Sequence, residues 1–273
     1  MKKILCPIDF TDSAKQGMEY ASRLSKAIGA SLSLLYVRPT IWPEAVQLKH
    51  EEKESNESIT SWLGIFSKAI HEEFGVTCDY HFKETTNTPD HAIADVAKKY
   101  DLIIMGSNGV DNSYQYVFGS QSFQLMKHTN CPVILVPEGY AYKPITGIVY
   151  AYDPHTNPLF LTEQLRKLAE PLQAAVKVLH ILEEKPSVET MRKMEILEGV
   201  IKSREHGNVQ WSFEFQSAED VALALNHYMN VNGGGDMLAL SFHHRSIVDK
   251  LFRENVIEKI AMIADYPVFT FWH

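Results

Sequence analysis

The chain has 273 residues, 45% of them hydrophobic and 22% charged, with a formal net charge of −8 at pH 7. This is the balance of a packed globular protein, without the low hydrophobicity of a disordered one. The acidic excess, with no basic cluster set against it, argues against nucleic acid or an anionic membrane as the main partner, and no apolar run is long enough to span a bilayer.

The first apolar segment, KILCPIDF (3–10), opens on the pair Lys2-Lys3 but is cut by Pro7 and Asp9, too short for a signal peptide. It reads as a strand, followed by a helix with Thr11 or Ser13 as its cap. Along that helix Ala14, Met18, Ala21, Leu24 and Ile28 share one face, and Gly29 ends it. Further strands are expected near 31–37, 76–82, 101–105 and 132–136, alternating with helices, the pattern of a parallel sheet covered on both faces. Cys6, Cys78 and Cys131 are odd in number and lack metal-ligand spacing, which points to reduced thiols and a cytoplasmic protein.

The most informative stretch is GSNGVDNSYQYVFGSQS (106–122), which sets Gly106, Gly109, Gly119 and Ser120 in the spacing G-x2-G-x9-G-S. It lies between the apolar run DLIIM (101–105) and a helical pattern carrying Phe123 and Met126. Strand, glycine-rich loop and helix N-terminus together make a phosphate site, because free backbone N–H groups and the helix dipole both favour an anion. Glycine is expected there for close backbone approach and for positive φ, which costs other residues about 1–2 kcal/mol. Glycines after a strand also make ordinary tight turns, but here the spacing is matched at every defined position.

This motif closely resembles the ATP-binding loop of the universal stress proteins. Pro7-Ile8-Asp9 is similar to the P-x-D that ends the first strand in that family, and Val37 matches a position whose backbone contacts adenine. The resemblance implies an adenine nucleotide (ATP, ADP or AMP) held by Pro7, Asp9, Val37, Met105, Gly106, Gly109, Gly119, Ser120, Gln121 and Ser122. The phosphates would lie on Gly109, Gly119, Ser120 and Ser122. From its residue type alone, Asp9 reads equally as an Asx-turn residue closing the strand. A Mg²⁺ ion is expected with a triphosphate, because the loop offers no P-loop lysine; Lys15 and Lys127 match no motif position.

The second half repeats the first. KILCPIDF (3–10) corresponds to GIVYAYDP (147–154), so Asp9 falls on Asp153; DLIIMGSNG (101–109) corresponds to DMLALSFHH (236–244). The shorter second copy is expected to have lost residues after its second strand, where the first has QLKHEEKESNES (47–58). Leu161, Leu165, Leu168 and Leu172 give its first helix an apolar face, and strands are expected near 147–152, 176–182, 209–215, 236–240 and 267–272. Domains at 1–138 and 145–273 follow, joined by PEGYAYKPIT (137–146). The resemblance implies two tandem, doubly wound five-stranded parallel sheets of the adenine nucleotide alpha hydrolase-like class, forming an intramolecular pseudo-dimer through 132–136 and 267–272, with further self-association open.

In the second copy Gly106, Gly109, Gly119 and Ser120 map onto Ser241, His244, Glu254 and Asn255. Two unit charges about 4 Å apart repel by roughly 4 kcal/mol at an effective dielectric near 20, so Glu254 alone opposes a phosphate. That site reads as degenerate, leaving one per chain. His243, His244 and Arg245 are adjacent, a poor arrangement for one metal, and read as surface or inter-domain residues; no metal site is expected. His180 and His227 read as ordinary structural histidines.

The leading expectation is a nucleotide-binding regulatory protein of the stress response. The alternative, from a different class, is a structural pseudo-dimer or interaction scaffold that binds no nucleotide. No general base or nucleophile–base pair stands near the loop, and Asp111 is the loop's own candidate metal ligand, so slow incidental ATP hydrolysis is the most catalysis expected. PIDFTD (7–12) lacks both the G-x-G-x-x-G of a dinucleotide-binding enzyme and the Ser-Gly-Gly-rich loop of ATP-pyrophosphatases. A phosphoacceptor receiver could use Asp9 and Asp12 but would leave the glycine loop without purpose.

Overall fold

The computed structural model describes residues 1–40, 55–106, 120–182, 188–203, 208–231, 235–242, 256–257, 259–260 and 263–272. The chain divides into two compact units, the first ending at Tyr142 and the second running from Lys143.

In the first unit, strands β1 (Lys3–Pro7), β2 (Ser31–Pro39), β3 (Cys78–Thr85), β4 (Leu102–Gly106) and β5 (Val133–Val136) are parallel and ordered β3-β2-β1-β4-β5. Between them run α1 (Asp12–Ile28), α2 (Asn56–Phe74), α3 (Pro89–Ala97) and α4 (Ser120–His128). Right-handed crossovers step outward from β1 to β3 through α1 and α2, then return through α3 and α4, which puts the two pairs on opposite faces. Helices α1 and α2 accordingly touch each other, as do α3 and α4. Ile4, Leu5, Leu32, Leu34, Leu102, Ile103 and Ile104 are buried from both sides, which is why these strands read as continuous apolar runs.

The first helix is set by its ends. Thr11, extended at φ −67° and ψ 162°, accepts a hydrogen bond from the Ala14 N–H, and Gly29 closes the helix in the left-handed region at φ 67°. Of the two cap candidates, Thr11 holds the position; Ser13 is buried within the first turn.

The second unit has β6 (Gly147–Ala151), β7 (Ala175–Leu182), β8 (Trp211–Ser217), β9 (Met237–Phe242) and β10 (Val268–Trp272), in the order β10-β9-β6-β7-β8 and again parallel. Its described helices are α5 (Pro158–Leu172), α6 (Val188–Ser203) and α7 (Val221–Val231). Leu161, Leu165 and Leu168 are fully buried along α5.

The duplication holds down to single hydrogen bonds. Asp101 accepts from the backbone N–H groups of Lys2 (2.7 Å) and Lys3 (3.1 Å), and Asp236 accepts from those of Thr146 (2.7 Å) and Gly147 (3.1 Å). Gly29 closes α1 and its counterpart Gln173, also left-handed at φ 54°, closes α5. The side chain there costs about 1 kcal/mol that glycine avoids. In the first copy sixteen positions separate Pro39 from Asn56, and in the second five separate Leu182 from Val188, so the shortening lies in the connection after the second strand.

Candidate functional site

The site begins at the one place in the first sheet where consecutive connections leave in opposite directions. Strands β1 and β4 are neighbours, paired Ile4 to Leu102 and Leu5 to Ile103, yet the chain leaves β1 for α1 on one face and β4 for α4 on the other. Diverging connections open a crevice outside the carboxyl ends of these strands, where doubly wound sheets take ligands. Continuing the pairing puts Pro7 level with Met105, and Pro7 also pairs with Leu35, two residues before Val37. Pro7, Val37, Met105 and Gly106 therefore lie along this one sheet edge. Pro7 and Gly106 are buried, and Val37 and Met105 half-buried.

Asp9 sits just past β1 and its Oδ1 accepts from the Thr11 backbone N–H at 3.1 Å and the Thr11 hydroxyl at 2.6 Å. It forms the Asx turn anticipated for its residue type. Asp153 repeats the turn in the second unit, accepting from the His155 N–H at 2.9 Å. Between Asp9 and Thr11, Phe10 adopts a left-handed φ of 64°, rare for a bulky residue. Its ring stacks on Tyr36 with centroids 5.0 Å apart and lies 6.0 Å from that of Phe66 on α2, which offsets a backbone cost of about 1–2 kcal/mol. Sequence reasoning missed Phe10, because nothing in its residue type announces such a backbone.

The expectation of a positive φ fails at Gly106, which is absent from the glycines in that region. Its lack of a side chain has another cause. A Cβ on Gly106 would lie 2.2 Å from the Ser13 carbonyl oxygen, and one on Gly17 would lie 2.4 Å from the Gly106 nitrogen. Helix α1 rests directly on the end of β4, and both glycines are needed for that seat. Gly106 therefore has a packing role that holds whether or not a ligand approaches it.

Ser122, in the first turn of α4, is buried and its hydroxyl donates to the Gly106 carbonyl at 3.4 Å. This long bond ties the start of α4 to the end of β4. Ser120 and Gln121 form the N-terminus of that helix. Gly109, Asp111 and Gly119 lie outside the described residues, as do His243, His244, Arg245, Glu254 and Asn255.

The corresponding place in the second unit is filled. Ser241 stands where the first unit has Gly106, and Leu161 where it has Gly17, so the helix cannot take the same close seat. The Ser241 hydroxyl lies 2.8 Å from both the Tyr150 and Thr156 hydroxyls, which are 3.2 Å from each other. All three come from the segments that frame the crevice: β6, the approach to α5 and the end of β9. Burial pushes the Tyr150 hydroxyl pKa well above the ordinary tyrosine range. The hydroxyl stays a neutral hydrogen-bonding group inside the crevice.

His180 plays the structural part expected of it. Its Nδ1 lies 3.0 Å from the Tyr152 carbonyl, its ring meets Tyr152 and Phe215 edge-on, and burial lowers its pKa. The groove along α2, lined by Asn56, Glu57, Thr60, Ser61, Gly64, Ile65, Lys68 and Tyr80, includes none of the strand-end residues named above.

Two doubly wound parallel sheets, each with its crevice between the first and fourth strands, define a duplicated α/β protein whose ligands would enter at the carboxyl ends of the strands. The model of the Universal stress protein family matches residues 1–137. The chain belongs to the universal stress protein family. Universal stress protein Sll1388 of Synechocystis sp. is 26% identical over 152 residues, 49% of this chain and 96% of its own. Universal stress protein MJ0531 of Methanocaldococcus jannaschii is 28% identical over 148 residues, 50% of this chain and 81% of its own. In fold, a universal stress protein from Archaeoglobus fulgidus matches 99% of this chain and 98% of its own at a TM-score of 0.75, with 16% identity. No described helix is long and apolar enough to cross a membrane.

Proposed function

We propose that the protein binds one adenine nucleotide per chain, in the first unit, and acts as a nucleotide-responsive regulator in a stress response. The base lies near Asp9 and Val37, and the phosphates lie on Gly109, Gly119, Ser120 and Ser122. The observation that supports this most is the contrast between the two crevices. The first is framed by Pro7, Asp9 and Met105 with no side chain at Gly106, whereas the second has Ser241 at that position, its hydroxyl bonded to those of Tyr150 and Thr156.

A helix N-terminus and glycine N–H groups stabilise phosphate without a lysine, and Lys15 is already engaged with Asp12 at 2.9 Å. Mg²⁺ would therefore accompany a triphosphate and neutralise part of its charge. The three free cysteines suit a reducing cytoplasm, and the net charge of −8 suits a protein that does not bind nucleic acid.

Mass spectrometry of ligand released from the purified protein, followed by calorimetry with ATP, ADP and AMP, tests this reading. One nucleotide per chain is expected. Two equivalent sites would overturn the assignment to the first unit, and no binding at all would favour the scaffold.

A further inference from the structure

Away from the strand-end crevice, helices α3 and α4 bring three potential metal ligands together. Asp90 lies in the first turn of α3 and is buried; His91 follows it, and His128 is the last residue of α4. The Asp90 Oδ2 lies 2.5 Å from the His128 Nδ1 and 3.1 Å from the His91 Nδ1. The two imidazole rings are 4.1 Å apart at their centroids, and one ligand atom from each residue falls within 4.8 Å of the others.

We propose that Asp90, His91 and His128 form a divalent transition-metal site, with Zn²⁺ the best-suited ion. Two imidazole nitrogens and one carboxylate oxygen are the ligand types that Zn²⁺ and its late first-row neighbours take, whereas Mg²⁺ and Ca²⁺ select oxygen. Bonds of about 2.0–2.2 Å to a tetrahedral ion require ligand atoms about 3.2–3.5 Å apart. The His91–Asp90 separation is already close to that, and His128 needs to open by about 1 Å. Both side chains can turn, since that of His91 is 49% exposed and that of His128 34%. The same exposure leaves the fourth position open to water.

Further features fit a metal. The buried Asp90 carboxylate has the two imidazoles as its ion-pair partners among the described residues, so it is placed for a cation delivered from outside the chain. Thr88, the residue at the N-cap of α3, makes no capping hydrogen bond; its hydroxyl instead lies 2.8 Å from the His91 Nδ1. On binding, that nitrogen would exchange the Thr88 hydroxyl for the ion, at the cost of this one hydrogen bond. Binding here would clamp the last residue of α4 to the first turn of α3, on the helix whose other end carries Ser120 and Ser122.

The test uses the full chain, stripped with a chelator and free of nucleotide, titrated with ZnCl₂ by calorimetry and with Co²⁺ by visible absorption. One saturable ion per chain is expected, with the visible bands of four- or five-coordinate Co²⁺. Saturation should raise Tm by about 5 °C and binding should weaken on acidification, because protons compete for the imidazoles. His91→Gln and His128→Gln should each lower the affinity at least about tenfold, and Asp90→Asn should do so too, while His227→Gln on α7 leaves it unchanged. Far-UV circular dichroism checks that each variant is folded, and the two exposed histidine changes keep the test valid if Asp90→Asn is not. Absence of saturable binding by the parent, or Zn²⁺ held as tightly by the folded His91→Gln/His128→Gln double variant, would overturn the proposal and leave the cluster a proton-held ion pair.

Discussion

Gly17 and Gly106 meet backbone to backbone where α1 crosses the end of β4: a Cβ on Gly17 would stand 2.4 Å from the Gly106 nitrogen. Alanine at position 17 would gain about 1 kcal/mol in helix propensity, but overpacking against backbone that cannot swing aside costs about 3 kcal/mol. Gly17→Ala is therefore expected to lose about 2 kcal/mol, read as a lower urea midpoint at unchanged slope. Gly199 on α6 has nothing within 4 Å of a Cβ, so Gly199→Ala should gain about 0.5–1 kcal/mol instead. Equal effects at the two positions would refute the packing argument.

That contrast also marks what the sequence could and could not disclose. All ten strands were legible: the inner ones, buried on both faces, read as unbroken apolar runs such as LIIM and VILV, while the largely exposed outer strands β3 and β8 alternate apolar and polar residues, as in CDYHF and WSFEF. The repeat was legible too, because Asp9 and Asp153 keep both spacing and turn. The packing role of Gly106 was not, since its partner Gly17 belongs to a distant segment and a glycine gives no sign of what presses on it. For the same reason the Asp90, His91 and His128 cluster escaped notice. Its third member lies 38 positions from the first, and only the packing of α3 on α4 brings them together.

The hydroxyl cluster of the second unit should behave as one network. Tyr150→Phe removes the hydroxyl that lies 2.8 Å from Ser241 and 3.2 Å from Thr156. Those two still have each other, so the loss should be about 1–2 kcal/mol rather than the full cost of orphaned buried groups. Tyr150→Phe/Ser241→Ala should cost less than the two single changes summed, because the first already breaks part of what the second removes. Strict additivity in urea melts would show that the hydroxyls act independently.

Stability should have a sharp alkaline limit. Burial raises the Cys131 thiol to about 12 and Cys78 to about 11, and it raises Tyr152 to about 12. Cys6, Tyr150 and Tyr266 shift in the same direction, again chiefly by burial. Each group is held in its neutral, protonated form by the fold, so the native state keeps protons that the unfolded chain releases. The contribution is fully present below the ordinary thiol and phenol ranges and is lost as pH rises through about 9 to 12. Urea midpoints should be level up to about pH 8.5 and fall steadily above it; a midpoint unchanged at pH 11 would contradict these shifts.

The thiols themselves offer a kinetic check. Cys6 and Cys131 are buried and all three cysteines are free, so a thiol reagent at pH 8 should modify the native protein slowly. Cys78, half-exposed, should react first, and denaturant should release three equivalents at once. Reductant should leave Tm unchanged.

The two halves together allow the phosphate loop to be tested by transplanting a difference nature has already made. Gly119 in the first copy corresponds to Glu254 in the second. Gly119→Glu would put a carboxylate at the start of α4, where the helix dipole welcomes it in the absence of ligand but where a phosphate would then be repelled. The change should spare the fold, at a cost of about 1–2 kcal/mol if the backbone there is left-handed. Repulsion of roughly 4 kcal/mol exceeds twice the 1.4 kcal/mol that makes a tenfold change, so ATP affinity should fall at least about a hundredfold by calorimetry. Glu254→Gly should create no second site, because Ser241, Tyr150 and Thr156 still fill that crevice and Leu161 still stands where α1 has Gly17. If Gly119→Glu folds and binds ATP as tightly as the parent, residues 106–122 are not the phosphate loop, and the interaction scaffold becomes the better account of the duplicated fold.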